Sequence, residues 1–288
     1  MTVTHKIFIH VPIFISVVSI LTSCAHKSDV IQGNSAKNMS LPMELKLKGE
    51  TGRIELLDNC SQSVTKTFML GDLRHKRIEN VSFKVKTITK ETLANSDIKQ
   101  EVQTVFKEGG VNLHEMAYPE FGESIEMILT PNCQVTKAGR YPKNSLFFLP
   151  PLPLKKGEVK IGDSWQMENS WQSENGHLTL TAKIQTEFKS LKTCGVNQCA
   201  ELIVTGEVHM PEIVEKKNDF SHKLNGRFLF DPNRGLLVWS EFGSVEHLNS
   251  RGALVEVRSV LRSHLLEPQG YHIASREEPS CPLESTEE

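Results

Sequence analysis

Apolar and polar residues alternate with a period of two along most of this chain, the pattern of half-buried antiparallel strands. In "LTLTAKIQTEF", Leu178, Leu180, Ala182, Ile184 and Phe188 share one side and mainly polar residues the other. "AELIVTGEV" repeats the pattern after a short loop, which predicts a hairpin. "NGRFLFDPNRGLLVWSEF" predicts a second: Phe228 and Phe230 point inward, residues 231–235 turn, and Leu236 to Phe242 returns. Pro232 presets φ in that turn and Gly235 is permissive. "ALVEVRSVLRSHLL" reads as a last strand. In the first half, "MELKLKGETGRIELL" predicts a short hairpin around Gly49 to Gly52, and "VSFKVKTI" a strand. "SDIKQEVQTVFKEGG" differs: Ile98, Val102, Val105 and Phe106 recur at helical spacing, with Ser96 as N-cap and Gly109 as stop, so one helix is expected. "YPKNSLFFLPPLPLKKGEVKIGDSW" carries Pro142, Pro150, Pro151 and Pro153, which exclude a central strand and mark a crossover between two halves. The expected fold is mainly β, an antiparallel sandwich or curved partial barrel. The body spans about residues 41–268, as one domain or as two similar-sized lobes divided near residues 141–160.

The ends set the compartment. Ile7 to Leu21, "IFIHVPIFISVVSIL", is almost unbroken apolar sequence, but its roughly 15 residues fall short of the ~20 that span a bilayer. It has the length of an export signal, over residues 1–23. Leu21-Thr22-Ser23-Cys24 directly follows and resembles the lipobox of bacterial lipoproteins. The resemblance implies cleavage before Cys24 and fatty acylation, palmitate included, of its thiol and new amino group. Two or more acyl chains anchor stably where one holds only marginally. Ala25 replaces the aspartate that marks inner-membrane retention in many such proteins, so the resemblance favours the outer membrane. Residues 24–40 are polar and cannot offset their ordering entropy by burial, which predicts a flexible tether. Residues 269–288 are acidic and proline-punctuated, and predict a disordered tail.

A formal net charge of −2 with scattered basic residues gives no basic stripe, and nucleic acid is not an expected partner. The densest basic patch, "LRHKRIE" at 73–79, reads as a solvated strand face or turn. Five cysteines remain beside Cys24, in a compartment that permits disulfides. Cys194 and Cys199 bracket the turn-like "GVNQ" and are expected to bond across it. Cys60 and Cys133 each follow an asparagine at a strand end and are a second candidate pair. Cys281 would then be free or bonded to another chain. "CGVNQC" lacks a second ligand pair, so no zinc or other metal is expected, and no cofactor is implied.

Gly162-Asp163-Ser164 and Asp219-Phe220-Ser221-His222 resemble the nucleophile and acid–base blocks of GDS-type serine hydrolases. Those enzymes are α/β folds, whereas about 55 residues of strand sequence separate the blocks here, too few for strand–helix units. A turn at Gly162-Asp163 with Trp165 anchoring the next strand is the simpler reading. His114, His177, His209, His222 and His247 lie in separate segments and form no ligand set. Trp165, Trp171 and Trp239, with Phe147 and Phe148, either line an apolar cavity or fill a core. "SLFFLPPLPL" is a partner or lipid contact if exposed, and packing if buried.

"LTPNCQV", "FFLPPLPLKKGEVKIGDSW" and "GRFLFDPNRGLLVWS" together resemble an uncharacterised family of exported bacterial β-rich proteins, over about Leu129 to Leu248. Its members share a prolyl segment before a Gly-Asp-Ser/Thr-Trp turn and a later Phe-Asp-x-x-x-Gly turn. The resemblance implies a β fold and an envelope location, and no catalytic residues. The expected function is that of a noncatalytic, membrane-anchored lipoprotein binding an apolar ligand or an envelope partner. A structural or assembly factor is the alternative, and a GDS-type hydrolase the remote one. Metabolic labelling with a radioactive fatty acid should mark the wild-type chain and leave Cys24→Ala unlabelled; equal labelling of both would remove the anchor.

Overall fold

The computed structural model describes residues 42–173, 176, 178–195, 197–210, 220–250 and 252–266. The segments expected to be signal peptide, tether and tail, with Cys24 and Cys281, lie outside the described residues.

The described chain is nearly all strand. In chain order these are β1 Met43–Glu44, β2 Ile54–Met69, β3 Asp72–Thr92, β4 Ile98–Glu108, β5 Ser124–Leu129, β6 Val135–Ala138, β7 Glu158–Val159, β8 Ser164–Gln172, β9 Thr179–Cys194, β10 Asn197–His209, β11 Phe220–Asp231, β12 Leu236–Ser250 and β13 Ala253–Leu266. Two short 3₁₀ turns, Leu113–Met116 and Leu146–Phe148, are the described helical elements. Eleven strands form one antiparallel sheet in the order β6-β5-β4-β3-β2-β13-β12-β11-β10-β9-β8, and β1 pairs with β7 separately. Each half is thus a meander of consecutive hairpins, and the halves meet where β13 runs beside β2.

That junction is unusual. Backbone pairing between β13 and β2 is confined to Leu265 with Leu57 and Leu266 with Leu56. Extending the same register places Ser259 opposite Ser63, and there a buried hydroxyl–hydroxyl hydrogen bond of 2.9 Å joins the strands. A side-chain contact therefore joins the strands beyond the ladder.

The predicted hairpins β9–β10 and β11–β12 form as the alternation requires, with bulges at Glu201/Leu202 and Leu229/Phe230. Two expectations are corrected. The helix expected over "SDIKQEVQTVFKEGG" is strand β4, paired with β3 and β5. Ile98, Gln100, Val102 and Thr104 alternate inward, and the Thr104 hydroxyl, fully buried, donates to the Pro119 carbonyl at 2.6 Å. Buried polar residues at alternate positions hid the period of two. The hairpin expected around Gly49 to Gly52 is also absent. Met43 and Glu44 instead pair with Val159 and Glu158 of β7, and the Leu47 amide donates to the Pro131 carbonyl at 2.7 Å.

The prolyl crossover leaves the β6 edge and enters the β8 edge, packing between them. Phe147 joins Ile125, Leu129, Val135 and Ala138 on the β5–β6 side, while Leu146 and Leu149 pack against Trp171, Leu180 and Leu224 on the other. Asn144 accepts from the Gln172 amide at 2.7 Å through its own carbonyl, tying the crossover to β8. Leu152 and Leu154 are buried beside Phe188, Leu202 and Phe230. The sheet is curled and remains open in backbone pairing, with this segment filling the gap between its edges.

The turn after β11 explains the Phe-Asp-x-x-x-Gly spacing. Asp231 Oδ1 accepts from the Asn233 and Arg234 amides at 2.9 and 3.1 Å, and the Gly235 amide donates to the Asp231 carbonyl at 2.7 Å. Gly235 has φ +67°, and a Cβ there would collide with the Lys48 amide nitrogen. Gly252, in the β12–β13 turn, has φ +81° but open space around its Cα. Gly235→Ala should therefore lower the urea midpoint by more than Gly252→Ala. Backbone strain of about 1 kcal/mol is common to both, and displacement of the 45–48 segment adds to the first; equal losses would show that this docking contributes nothing.

Candidate functional site

Pairing registers fix which side chains share a face, because directly opposed residues in an antiparallel pair point the same way. Across the middle of the sheet one face carries His222, Leu224, Gly226 and Phe228 of β11 opposite Glu246, Ser244, Phe242 and Ser240 of β12. Those lie opposite Val257, Ser259, Leu261 and Ser263 of β13. Through Ser259 and Ser63 the face continues to Ser61 and Asn59 of β2, which oppose Val81 and Phe83 of β3. This is the inner face, on which most of the apolar clusters lie; a further buried cluster that includes Cys199, Leu229 and Trp239 lies on the opposite face. At its flanks it is apolar, with Phe188, Leu202 and Phe228 on one side and Val81, Phe83 and Leu113 on the other. Between them runs a strip of buried polar groups: Asn59, Ser61, Ser63, His222, Ser240, Ser244, Glu246, Ser259 and Ser263.

Glu246 is the charged-type carboxyl on this strip. It is 5 % exposed, and its Oε2 is buried without a hydrogen bond among the described residues. The nearest basic atom, His222 Nδ1, is 3.8 Å away, too far for a hydrogen bond. Removing a carboxylate from water without compensating donors favours the neutral acid, and burial pushes Glu246 up to about 8. Nearby, the buried Tyr118 hydroxyl bonds Ser263, and desolvation raises it to about 12. Gly226 matters for space, since a Cβ there would meet the Phe242 ring at 2.5 Å. Serines, a glycine and a protonated carboxyl thus make a small-residue, hydrogen-bonding strip inside an apolar shell. Sequence reasoning missed it because serines in an alternating strand read as solvent-facing. The available signal was Glu246 sharing parity with Phe242 and Ser244.

The opposite face carries ion pairs beside a buried apolar cluster that includes Cys199, Leu229 and Trp239. Glu201 accepts from Arg227 Nε at 2.7 Å and from the Ser190 hydroxyl, and Arg262 Nε donates to Glu241 at 2.6 Å. Trp239 belongs to this face, with the Arg227 guanidinium 5.5 Å from its ring centroid. Trp165 and Trp171 face inward on β8, so the three tryptophans do not line one cavity. Trp171 is buried, and Trp165 donates from Nε1 to the Pro153 carbonyl at 2.7 Å. Phe147 stacks on Tyr141 with centroids 3.9 Å apart, and Phe148 packs beside it on the same cluster. "SLFFLPPLPL" is therefore packing.

The hydrolase blocks are not brought together. Ser164 begins β8 with an exposed side chain on the face opposite to Trp165, whereas His222 is buried on the inner face of β11. Strands β9 and β10 intervene, about 14 Å at the usual strand spacing. Asp219 lies outside the described residues. Gly162-Asp163 turns the chain: Asp163 Oδ2 accepts from the Lys160 amide at 3.1 Å, and the Gly162 amide donates to Phe188 at 2.8 Å. A second polar cluster ties loops. His114 Nε2 lies 2.5 Å from Glu123 Oε2 and 3.2 Å from the Tyr141 hydroxyl, and these contacts fasten the segment after β4 to the start of the crossover.

Cys194 and Cys199 form the expected disulfide, with Cα atoms 5.9 Å apart. The pairing of Cys60 with Cys133 is a correction. Cys133 is a free, fully buried thiol at φ +66° in the β5–β6 turn, packed beside Phe188 and Ala200. Cys60 lies in mid-β2 on the face opposite to Asn59, and is disulfide-bonded to a partner outside the described residues. The Cys60 sulfur and the Cys133 thiol sit on different faces. No group of three or more metal-ligating side chains occurs among the described residues.

No protein-family model and no curated protein matches the chain. Among solved structures it is similar to the hypothetical lipoprotein YmcC of Escherichia coli, at 12 % identity and a TM-score of 0.28, covering 73 % of this chain and 84 % of that one. It is also similar to a candidate exported protein with a YmcC-like fold from Bacteroides fragilis, at 10 % identity and a TM-score of 0.29, covering 78 % and 100 %. A third likeness is to DynF of the dynemicin biosynthesis pathway of Micromonospora chersina, at 8 % identity and a TM-score of 0.20, covering 84 % and 94 %.

The Glu246 carboxyl has a signed pH consequence. Below its ordinary value of 4.5 it is neutral both folded and unfolded. Between about 4.5 and 8 only the unfolded chain ionises, so this group lowers stability by up to about 1.4 kcal/mol per pH unit. His222 is the basic group facing it, with Val257 opposite on β13. In urea titrations, Glu246→Gln should match wild type near pH 4.5 and exceed it at pH 8.5. A variant less stable than wild type at pH 8.5 would mean that the carboxyl is held as a favourable anion.

Proposed function

We propose that this chain is a lipid-anchored protein of the bacterial envelope that holds an apolar ligand on the inner face of its curled sheet, without covalent chemistry. The observation that carries the reading is the division between faces. The inner face is apolar at its flanks and lined by small polar side chains along β12, β13 and β2, with Glu246 as its carboxyl. Concave, mostly apolar surfaces with a few convergent polar groups are the usual form of small-molecule sites. Large antiparallel sheets that curl on themselves enclose room for a ligand where inward side chains are small. The lipobox at Leu21 to Cys24 supports the envelope location and the anchor, and Ala25 favours the outer membrane. A serine-hydrolase reading gains nothing from the separation of Ser164 and His222.

An apolar dye whose emission rises out of water, N-phenyl-1-naphthylamine, tests the reading. The mature chain should bind it saturably with micromolar affinity. Ser259→Phe, which fills the inner strip, should weaken binding at least tenfold, and Lys223→Phe on the opposite face should leave it unchanged. Absence of saturable binding, or equal effects of the two variants, would overturn the proposal.

A further inference from the structure

The β2–β3 hairpin ends in a turn whose side chains suit neither its backbone nor water. Met69 pairs with Asp72, so Leu70 and Gly71 form a two-residue loop, with φ +54° and +90°. Positive φ at both central residues is the type I′ arrangement, which favours Asn, Asp or Gly because a side chain beyond Cβ is strained there. A leucine occupies the first position instead, 91 % exposed. Met69 and Leu73 flank it, at 50 % and 52 % exposure. Leu254, in the adjacent strand β13 just after the β12–β13 turn, is exposed at the same end of the sheet. Neither turn formation nor core packing accounts for Leu70.

Behind this apolar tip lies a basic collar. Lys66, Arg74, Lys76 and Arg77 stand against Asp72 and Glu79 between residues 66 and 79, and His75 adds a titratable ring. Residues 72–77 are exposed throughout. Arg74 reaches Asp72 at 3.1 Å and Arg77 reaches Glu79 at 2.6 Å, while Lys66 and Lys76 face each other as an opposed like-charge pair. Like charges directly opposed across a strand pair are unfavourable in water, and an external anion relieves them. Apolar residues at a tip with cations immediately behind them match a lipid surface, whose acyl region lies beneath anionic headgroups.

We propose that the Met69–Leu73 hairpin tip is a membrane-contact element, inserting Leu70 and its apolar neighbours into a bilayer surface while Lys66, Arg74, Lys76 and Arg77 engage anionic headgroups. This contact is separate from the Cys24 anchor and from the inner face. It explains why a residue unfavourable for the turn stands at its apex: the side chain that the turn would choose cannot enter lipid.

Depth-dependent quenching tests it on the mature chain in vesicles of phosphatidylethanolamine with phosphatidylglycerol whose acyl chains are brominated, supplied either as the anchoring vesicles or as vesicles added afterwards. Leu70→Trp should lose at least half of its added emission in one of these arms, and at least threefold less in vesicles of brominated phosphatidylcholine. Lys76→Glu with Arg77→Glu should abolish the preference for anionic vesicles. Leu70→Asn provides an opposing readout: it should raise the urea midpoint, since asparagine suits the turn, and should abolish hairpin protection from protease on anionic vesicles. Unquenched emission in every arm, equal quenching on neutral and anionic lipid, or undiminished protection of Leu70→Asn would each overturn the proposal.

Discussion

The outermost strands of the sheet, β6 and β8, are successive long-sheet strands in sequence, and that connectivity governs the rest of the fold. Eleven strands laid flat would separate those edges by about 48 Å at ordinary strand spacing. The crossover from Gly139 to Asp163 must bridge them while satisfying its own backbone, which its prolines, its 3₁₀ turn and the short β7–β1 pairing allow. Curling the sheet brings the edges within reach of one packed segment. Phe147 meets β5 and β6, Leu146 and Leu149 meet the β8–β11 side, and Asn144 hydrogen-bonds Gln172. An inner and an outer face follow from that curl, and with them the contrast between the buried serines and the ion pairs of Glu201 with Arg227 and Glu241 with Arg262.

Burial of a polar strip has an energetic logic as well as a cost. Hydroxyls bonded to each other, as Ser63 and Ser259 are, offset most of their desolvation, whereas the Glu246 carboxyl, its Oε2 without a hydrogen bond among the described residues, offsets little. A core selected only for stability would place leucine or valine at these positions. Small hydroxyls and a protonated acid on β12, β13 and β2 instead trade packing for hydrogen-bonding capacity. The flanks retain large apolar clusters.

How much of this was legible depended on whether the information was local. Alternation in "LTLTAKIQTEF" and "AELIVTGEV" was sufficient because neighbouring segments pair with each other and bury aliphatics. In β4 the same rule was masked, since Gln100 and Thr104 occupy inward positions and Val105 and Phe106 outward ones, imitating a helical stripe. "MELKLKG" alternates too, but its partner lies more than a hundred residues away in β7, and nothing local specifies that. Both Gly-Asp-Ser-Trp and Phe-Asp-x-x-x-Gly proved to be turn chemistry with a carboxylate closing each loop. The Cys194–Cys199 bond was local and readable; the fate of Cys60 depends on which face of β2 it occupies. Glu246 and the serines were invisible for a related reason: period-two sequence separates faces without saying which polar residues are inside.

The unpaired Cys133 thiol carries a consequence of its own. Burial beside Phe188 and Ala200 raises its ionisation far above the ordinary thiol range, so the native molecule presents almost no thiolate there. Disulfide exchange requires that anion. The finished fold therefore keeps an odd sulfhydryl chemically silent even in oxidising surroundings.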